Sequence, residues 1–267
     1  MKKAVFIPCD KNYLPGLKVT LFSLRRNGNL PEEVDICVIS EDIHPNSVRS
    51  FGAKIVRPKT EDYDELPQSS YWPPIVHYTY ESLRSEYERV VWIGADQLIV
   101  GDISELFHDD APPFMAMVDS QHPDGVICTG MLAVTVSAFP NMWEQVMELA
   151  LAGDSYDGGD QGVMNAWVET YEVPIFKYHP WVDVSKRVYL KDPKRWNQIM
   201  HLVKSIHFVG PEKPWMESTI NNESEMDAYG PLHMLWRSYQ EGAHILPLPQ
   251  SVIKKRFTGK VGRMNSR

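Results

Sequence analysis

The sequence predicts an α/β protein with one mixed, mostly parallel, Rossmann-like sheet flanked by helices. Through the first hundred positions, short apolar runs alternate with stretches whose apolar residues recur at helical spacing. That is the pattern of parallel strands joined by helical crossovers. The run Val90–Ile93 is apolar at every position, as in strands covered on both faces. With 267 residues, 43% of them hydrophobic and 23% charged, the chain can bury a sizeable core.

Ala4–Pro8 is the first strand, breaking at Pro8, Cys9 and Asp10, and Gly16–Arg26 follows with helical spacing. Val34–Ser40 reads as a second strand, with Cys37 as a small apolar residue inside it, and Ala53–Val56 as a short third. Pro67–Pro74, with QSSYWPP at its centre, is a loop; its length and aromatics suit either a flap over a pocket or a packed surface loop. Ile75–Tyr87 is helix-compatible and feeds the strand at Val90. Phe114–Val118 and Val126–Val136 are further apolar segments. Pro140–Ala152 reads as a helix with proline near its first turn and Gly153 just past its end. The acidic, glycine-rich loop Asp154–Gly162 precedes a short helical stretch, Val163–Val168. Ser205–Gly210 is a short strand, and Pro231–Gln240 a last helix opened by its proline.

The organisation expected is one domain over residues 1–253 and a basic tail over 254–267. The tail carries six basic residues and no acid, which leaves 21 basic against 35 acidic residues elsewhere, a net of −14. An acidic body argues against a broad nucleic-acid surface, while the tail suits either plain solvation or contact with a polyanion, a membrane surface or a nucleotide. The N-terminal apolar stretch is too short for a signal-peptide core, and no run is long enough to span a membrane. Cys9, Cys37 and Cys128 cannot all pair within the chain. Reduced thiols and a cytoplasmic location are the expectation.

Three polar clusters stand at the ends of apolar runs. Asp96 follows VVWIGA, where Gly94 and Ala95 leave room for backbone to approach a ligand. Asp157, Asp160 and Gln161 lie in DGGDQG, and His207 and Lys213 in HFVGPEKPW. Carboxylate and imidazole suit a divalent cation such as Mn²⁺ or Mg²⁺, lysine suits a phosphate, and an acid with an amide suits a polyol. Singly, each has a plainer reading: a turn acid, a structural histidine, a glycine turn.

In order and spacing these motifs resemble the glycogenin-like glycosyltransferases of family 8, which have the GT-A fold. The resemblance spans most of the chain and is most specific at SYDGGDQGVMN (Ser155–Asn165) and HFVGPEKPW (His207–Trp215). It implies that Cys9, Asp10 and Tyr13 in FIPCDKNYLPG line the uracil and ribose. Asp96 would be the second acid of the Asp-X-Asp metal motif and His207 the imidazole ligand of Mn²⁺ or Mg²⁺. Lys213 and the Gly210 backbone would meet the diphosphate. Asp157 would hold the donor sugar, with Asp160 and Gln161 as catalytic residues near the anomeric carbon.

Three positions depart from the family pattern. Gly94 replaces the first metal-motif acid, so that Gly94, Ala95 and Asp96 stand where the family has Asp-X-Asp. Tyr78 stands at a family lysine, and Cys128 at the asparagine of Asn-Ser-Gly. With one carboxylate lost, weaker cation binding is expected; Asp102, Asp119 and Asp124 are candidate replacements, each also readable as a solvated loop acid. The resemblance implies a retaining transferase that moves a hexose from a nucleotide sugar, a UDP-sugar, to an acceptor hydroxyl. The competing expectation is a nucleotide-sugar binding protein with reduced or lost catalysis.

Overall fold

The computed structural model describes residues 1–67, 69, 71–119, 125–178, 182–210, 212–216 and 223–243. In chain order the elements are β1 (Lys3–Pro8), α1 (Leu14–Asn27), β2 (Val34–Ile39), α2 (Asn46–Arg49), β3 (Ala53–Val56), β4 (Arg89–Ile93), β5 (Gln97–Ile99), β6 (Phe114–Val118) and β7 (Ile127–Thr135). There follow α3 (Met142–Ala152), α4 (Asp160–Thr170), β8 (Phe176–Lys177), β9 (Asp183–Ser185), α5 (Lys186–Lys191), α6 (Pro193–Ile199), β10 (Ser205–His207) and α7 (Glu223–Gly242).

The main sheet has seven strands in the order β3-β2-β1-β4-β7-β6-β8. β1 pairs in parallel with β2 on one side and β4 on the other, with Phe6 opposite both Cys37 and Trp92. Because the winding reverses at β1, a crevice opens beyond the C-terminal ends of β1 and β4, the usual ligand position of such sheets. Loop 9–13 leaves β1 there, and Gly94–Asp96 leaves β4 there. β4 is buried throughout, as its unbroken apolar run requires. Alternate residues serve two cores: Val90 and Trp92 pack with Phe6 and Trp167, while Val91 and Ile93 pack with Val5, Ile7 and Leu17.

The short apolar run that follows Asp96 belongs to a separate sheet, ordered β5-β10-β9. Gln97 lies opposite His207 across an antiparallel pair, and the Phe208 N–H donates to the Asp96 carbonyl at 3.0 Å. This small sheet covers a third core of Leu98, Ile206, Phe208, Trp215 and Trp236, and it carries HFVG to the end of β4.

β7 holds the irregularity that matters most. Ala116 of β6 pairs with Leu132, but the next residue, Met117, pairs with Cys128. Thr129, Gly130 and Met131 are therefore accommodated in a bulge, a device that re-aims side chains beside sites.

Most elements match the sequence reading, with three differences. Pro74–Arg84 is a 3₁₀ segment rather than an α-helix. Val76, Tyr78, Thr79 and Tyr80 are β-branched or aromatic, and the Thr79 hydroxyl donates to the Val76 carbonyl at 3.1 Å, competing with α-helical bonding. α4 begins at Asp160, not Val163, because loop glycines rather than a longer turn make its entry. α7 starts at Glu223 and runs through Pro231, which the sequence placed at the first helical position. α3 ends as expected: Gly153 adopts φ 73°, and its N–H donates to the Ala150 and Leu149 carbonyls. The tail 254–267 lies outside the described residues.

Candidate active site

Two of the motifs and the loop after β1 converge on Gly16 in α1. A Cβ there would fall 2.6 Å from the Trp215 ring and 2.9 Å from the Ala95 carbonyl. Only glycine lets the loop after β1, the β4 end and the HFVGPEKPW segment meet so closely. Tyr13 packs edge-on to Trp215 with centroids 5.6 Å apart, and Lys213 Nζ lies 5.6 Å from the Tyr13 ring centroid.

At one end of the crevice stands a compact charged cluster. Asp96 Oδ1 lies 3.2 Å from His207 Nε2, and Asp96 Oδ2 accepts from Lys213 Nζ at 2.5 Å. Lys213 also donates to the Phe208 carbonyl at 2.7 Å, so it is held from two directions. Beyond the imidazole, Asp183 Oδ2 is 3.5 Å from His207 Nδ1. Burial opposes charge on Asp96, but Lys213 and His207 outweigh burial and hold the carboxyl well below the usual carboxylate range. Burial likewise opposes charge on His207, and Asp96 and Asp183 outweigh it, raising the imidazole well above its ordinary value.

The residues at this end suit a divalent cation. Two adjacent donors on an octahedral ion with bonds of about 2.1 Å lie about 3 Å apart, close to the Asp96–His207 separation of 3.2 Å. A carboxylate at the far nitrogen of a ligating histidine, as Asp183 is here, is the usual means of fixing its tautomer. Asp183 Oδ1 is buried and has no hydrogen-bond partner among the described residues. At Gly94, which stands in place of the family motif's first acid, a built Cβ lies 3.8 Å from His207 Nε2 and 2.8 Å from Asp96 Oδ1.

The other end is acidic and glycine-rich. Asp157 Oδ1 accepts from Ser155 Oγ at 3.0 Å, Gly159 N at 2.9 Å and Gly162 N at 3.1 Å. One oxygen of Asp157 thus builds the loop itself. Gly158 has φ +71°, a conformation side chains rarely adopt, and a Cβ on Gly159 would strike Trp72 at 2.8 Å. The Pro67–Pro74 loop therefore seats Trp72 directly on the DGGD turn, so the packed-loop reading describes that contact.

Asp160 opens α4, where the helix dipole favours a charged acid by up to about 1 kcal/mol. Burial nevertheless raises its pKa to about 6, against the lowering effect of the Thr129 hydroxyl, and Asp157 adds to the rise. Gln161 Nε2 donates to Tyr156 Oη at 2.7 Å and to Asp119 Oδ2 at 3.3 Å. Asn165 pins α4 to β7: its Nδ2 donates to the Ile127 carbonyl at 2.9 Å and its Oδ1 accepts from Ile127 N at 2.8 Å.

The β7 bulge joins the two ends. Thr129 meets Asp160, Cys128 meets His207, and a Cβ on Gly130 would lie 2.5 Å from His207 Cε1.

Other expected residues are placed with qualifications. Cys9 is 2% exposed, its thiol donates to the Asp10 carbonyl at 3.2 Å and its N–H donates to the Ile39 carbonyl at 3.0 Å. Asp10 Oδ1 accepts from the N–H groups of Asn12 and Tyr13 at 2.9 and 3.1 Å, shaping the loop after β1. Gly210 has φ +88° and lies beside the Arg187 guanidinium. Tyr78 is buried and donates to Glu41, so the family lysine has no cationic counterpart at that position. Among the replacement acids, Asp102 is committed to Asn29 and the Ser104 N–H, both at 2.8 Å, and Asp119 serves Gln161. Asp124 lies outside the described residues.

Asp183 and Gly16 were not singled out from the sequence. Asp183 had one signal, an acid between two valines, which puts a carboxylate in a buried strand. Gly16 had another, a glycine inside a helical repeat.

A model of glycosyl transferase family 8 matches residues 4–219. The chain belongs to this family. Glycogenin of Neurospora crassa is 28% identical over 217 residues, covering 77% of this chain and 30% of the relative. Human glycogenin-2 is 26% identical over 181 residues, covering 63% of this chain and 34% of the relative. The chain thus spans about a third of the length of these glycogenins. The galactosyltransferase LgtC, solved with donor and acceptor sugar analogs, superposes with a TM-score of 0.64 at 14% identity, over 93% of this chain and 98% of that one. The fold is GT-A, as the motif order led us to expect. No described helix is long and apolar enough to cross a membrane.

Proposed function

We propose that this family 8 member transfers a hexose from a UDP-sugar to an acceptor hydroxyl with retention of configuration. The observation that carries the reading is the β7 bulge, which places a cation-rich end and an acid-and-amide end within one crevice, touching His207 on one side and Asp160 on the other. The β1 loop at Cys9, Asp10 and Tyr13 takes the base and ribose. Gly94 and Ala95 let backbone approach the nucleotide.

Lys213 is held at the diphosphate position by Phe208 and Asp96, with the Gly210 backbone beside it, and stabilises the charge that develops as the leaving group departs. Asp96 and His207 would hold Mn²⁺ or Mg²⁺, which would supply further Lewis-acid neutralisation of that charge. Asp157 orders the sugar loop. Gln161, its Nε2 anchored by Tyr156 and Asp119, turns its carbonyl oxygen to the donor sugar. Asp160, ionised above pH 6, steadies the electron-poor anomeric centre. The acceptor hydroxyl bonds to that carbon as the bond to the diphosphate oxygen breaks, and its proton passes to the departing diphosphate.

Tyr78 tied to Glu41, together with Gly94, supports a second reading, a binding protein that retains the donor pocket with little turnover. UDP release from UDP-glucose and UDP-galactose, with and without Mn²⁺, tests the choice when read beside calorimetric binding. Release with transfer supports the enzyme; tight binding with no product under any metal condition supports the second reading. Cys9, Cys37 and Cys128 form no disulfide, which supports a cytoplasmic, reducing location.

A further inference from the structure

The imidazole of His207 has two working faces, and the nucleotide reading uses only one. Beside the ring lie Asp183, 3.5 Å from Nδ1, and Cys128, and one ligand atom of each, together with a ring nitrogen of His207, all fall within 4.8 Å of one another. The Asp183 side chain is 1% exposed, and its Oδ1 is a buried acceptor with no hydrogen-bond partner among the described residues. A buried carboxylate oxygen left unpartnered is costly, and here it stands within reach of a thiol and an imidazole. Gly130 keeps the space clear, since a Cβ there would sit 2.6 Å from His207 Nδ1 and 3.0 Å from Asp183 Oδ2.

We propose that Cys128 Sγ, Asp183 and His207 Nδ1 form a site for a thiophilic divalent cation of the Zn²⁺ type, on the opposite edge of the imidazole from Asp96. Sulfur, nitrogen and oxygen together select a borderline-soft ion over Mg²⁺ or Mn²⁺, which prefer oxygen. Around a tetrahedral ion with bonds of 2.0–2.3 Å such donors lie about 3.3–3.7 Å apart. A spread of up to 4.8 Å therefore has to close by about 1 Å, within what a Cys128 side-chain rotation supplies. Three protein ligands leave a fourth position for water or a substrate oxygen. Binding displaces both the thiol proton and the proton on His207 Nδ1 to solvent. It also leaves the imidazole proton on Nε2, where it is donated to Asp96 Oδ1. Occupancy of the thiol side therefore withdraws His207 from any cation on the Asp96 side, making the two sites antagonists through one ring.

Co²⁺ is the probe, because a cobalt–thiolate bond has its own near-ultraviolet charge-transfer absorption and needs no turnover to be seen. The full chain, stripped of metal and titrated with Co²⁺, is expected to develop that band, and added Zn²⁺ to erase it. Cys128→Ser is expected to abolish the band, and Asp183→Asn to weaken Co²⁺ binding by about 10- to 100-fold. Cys37→Ala, which removes a core thiol remote from the site, is expected to leave the band intact. Absence of the band in the wild-type chain, or its survival in Cys128→Ser, would overturn the proposal. Because the readout is spectroscopic, it is independent of whether any sugar donor is turned over.

Discussion

At the two ends of the crevice the same side chain is treated in opposite ways. Asp96 is surrounded by Lys213 and His207, so its charge is compensated and its proton is lost far below neutral pH. Asp160 has a hydroxyl, a helix terminus and a second acid for neighbours, and its pKa rises to about 6. Environments that push two carboxyls apart mark different tasks. In the proposed reaction the compensated end would meet an anionic leaving group, while the uncompensated end would hold negative charge for a centre that becomes positive.

Removing the compensating cation should break the comparison most severely. Lys213→Ala takes the donor from the leaving-group position and strands Asp96 as a buried charge. Loss of one preorganised electrostatic contact costs about 10²–10³ in kcat, and stranding a buried partner costs about 3–5 kcal/mol in stability. Steady-state transfer or UDP release, paired with urea unfolding, reads both. A variant with normal kcat/KM would show that Lys213 serves the fold alone.

Asp160→Asn should separate the ends by the sign of its stability effect. The folded-state pKa of about 6 exceeds the ordinary 3.8, so the native state holds this proton longer than the unfolded chain. Below about pH 4 both states are protonated and the residue is neutral in its effect. Between about pH 4 and 6 the unfolded chain ionises first and stability falls, reaching a cost of about 2–3 kcal/mol above pH 6. Asparagine cannot ionise, so the variant should be more stable than wild type by up to that amount at pH 7.5 and equal to it near pH 4. Activity should fall by about 10²-fold or more at pH 7.5. Chemical denaturation at the two pH values tests the sign; a variant destabilised at pH 7.5 would remove the claim that Asp160 is strained for function.

A smaller effect is expected from restoring the missing acid. Gly94→Asp places a carboxylate beside His207 Nε2, and the 2.8 Å approach of its Cβ to Asp96 Oδ1 is relieved by turning the Asp96 carboxylate. We expect Mn²⁺ binding to tighten by about 10-fold from the added oxygen ligand, measured by calorimetry. An unchanged affinity would mean that the cation end has been rebuilt around other donors.

Strands were legible in the sequence wherever burial on both faces left an uninterrupted apolar run, as at Val90–Ile93. The site motifs were legible because their residues stand at element ends. What escaped depended on contacts distant in sequence. Asp183 acquires meaning only when β9 pairs with β10 and sets Asp183 opposite Ser205, two positions from His207. The β7 bulge needs β6 as its ruler, since nothing within CTGM marks a break in register. The 3₁₀ form of Pro74–Arg84 follows from side chains wedged against a core that periodicity does not reveal. The start of α7 was missed because Pro231 is a good first residue, and its neighbours gave no competing signal.

The smallest effect concerns an acid that sequence position alone made a candidate. Asp102 follows the β5 run closely, as Asp96 follows β4, yet its oxygens accept from Asn29 Nδ2 and the Ser104 N–H. It is exposed, and its pKa falls because of the Ser104 bonds foremost. It caps a turn. Asp102→Asn keeps an acceptor for the Ser104 N–H, so divalent-cation affinity and transfer rate should both stay within about 2-fold of wild type, and stability within about 0.5 kcal/mol. Weakened Mn²⁺ binding in this variant would relocate the cation away from Asp96 and dissolve the contrast between the two ends.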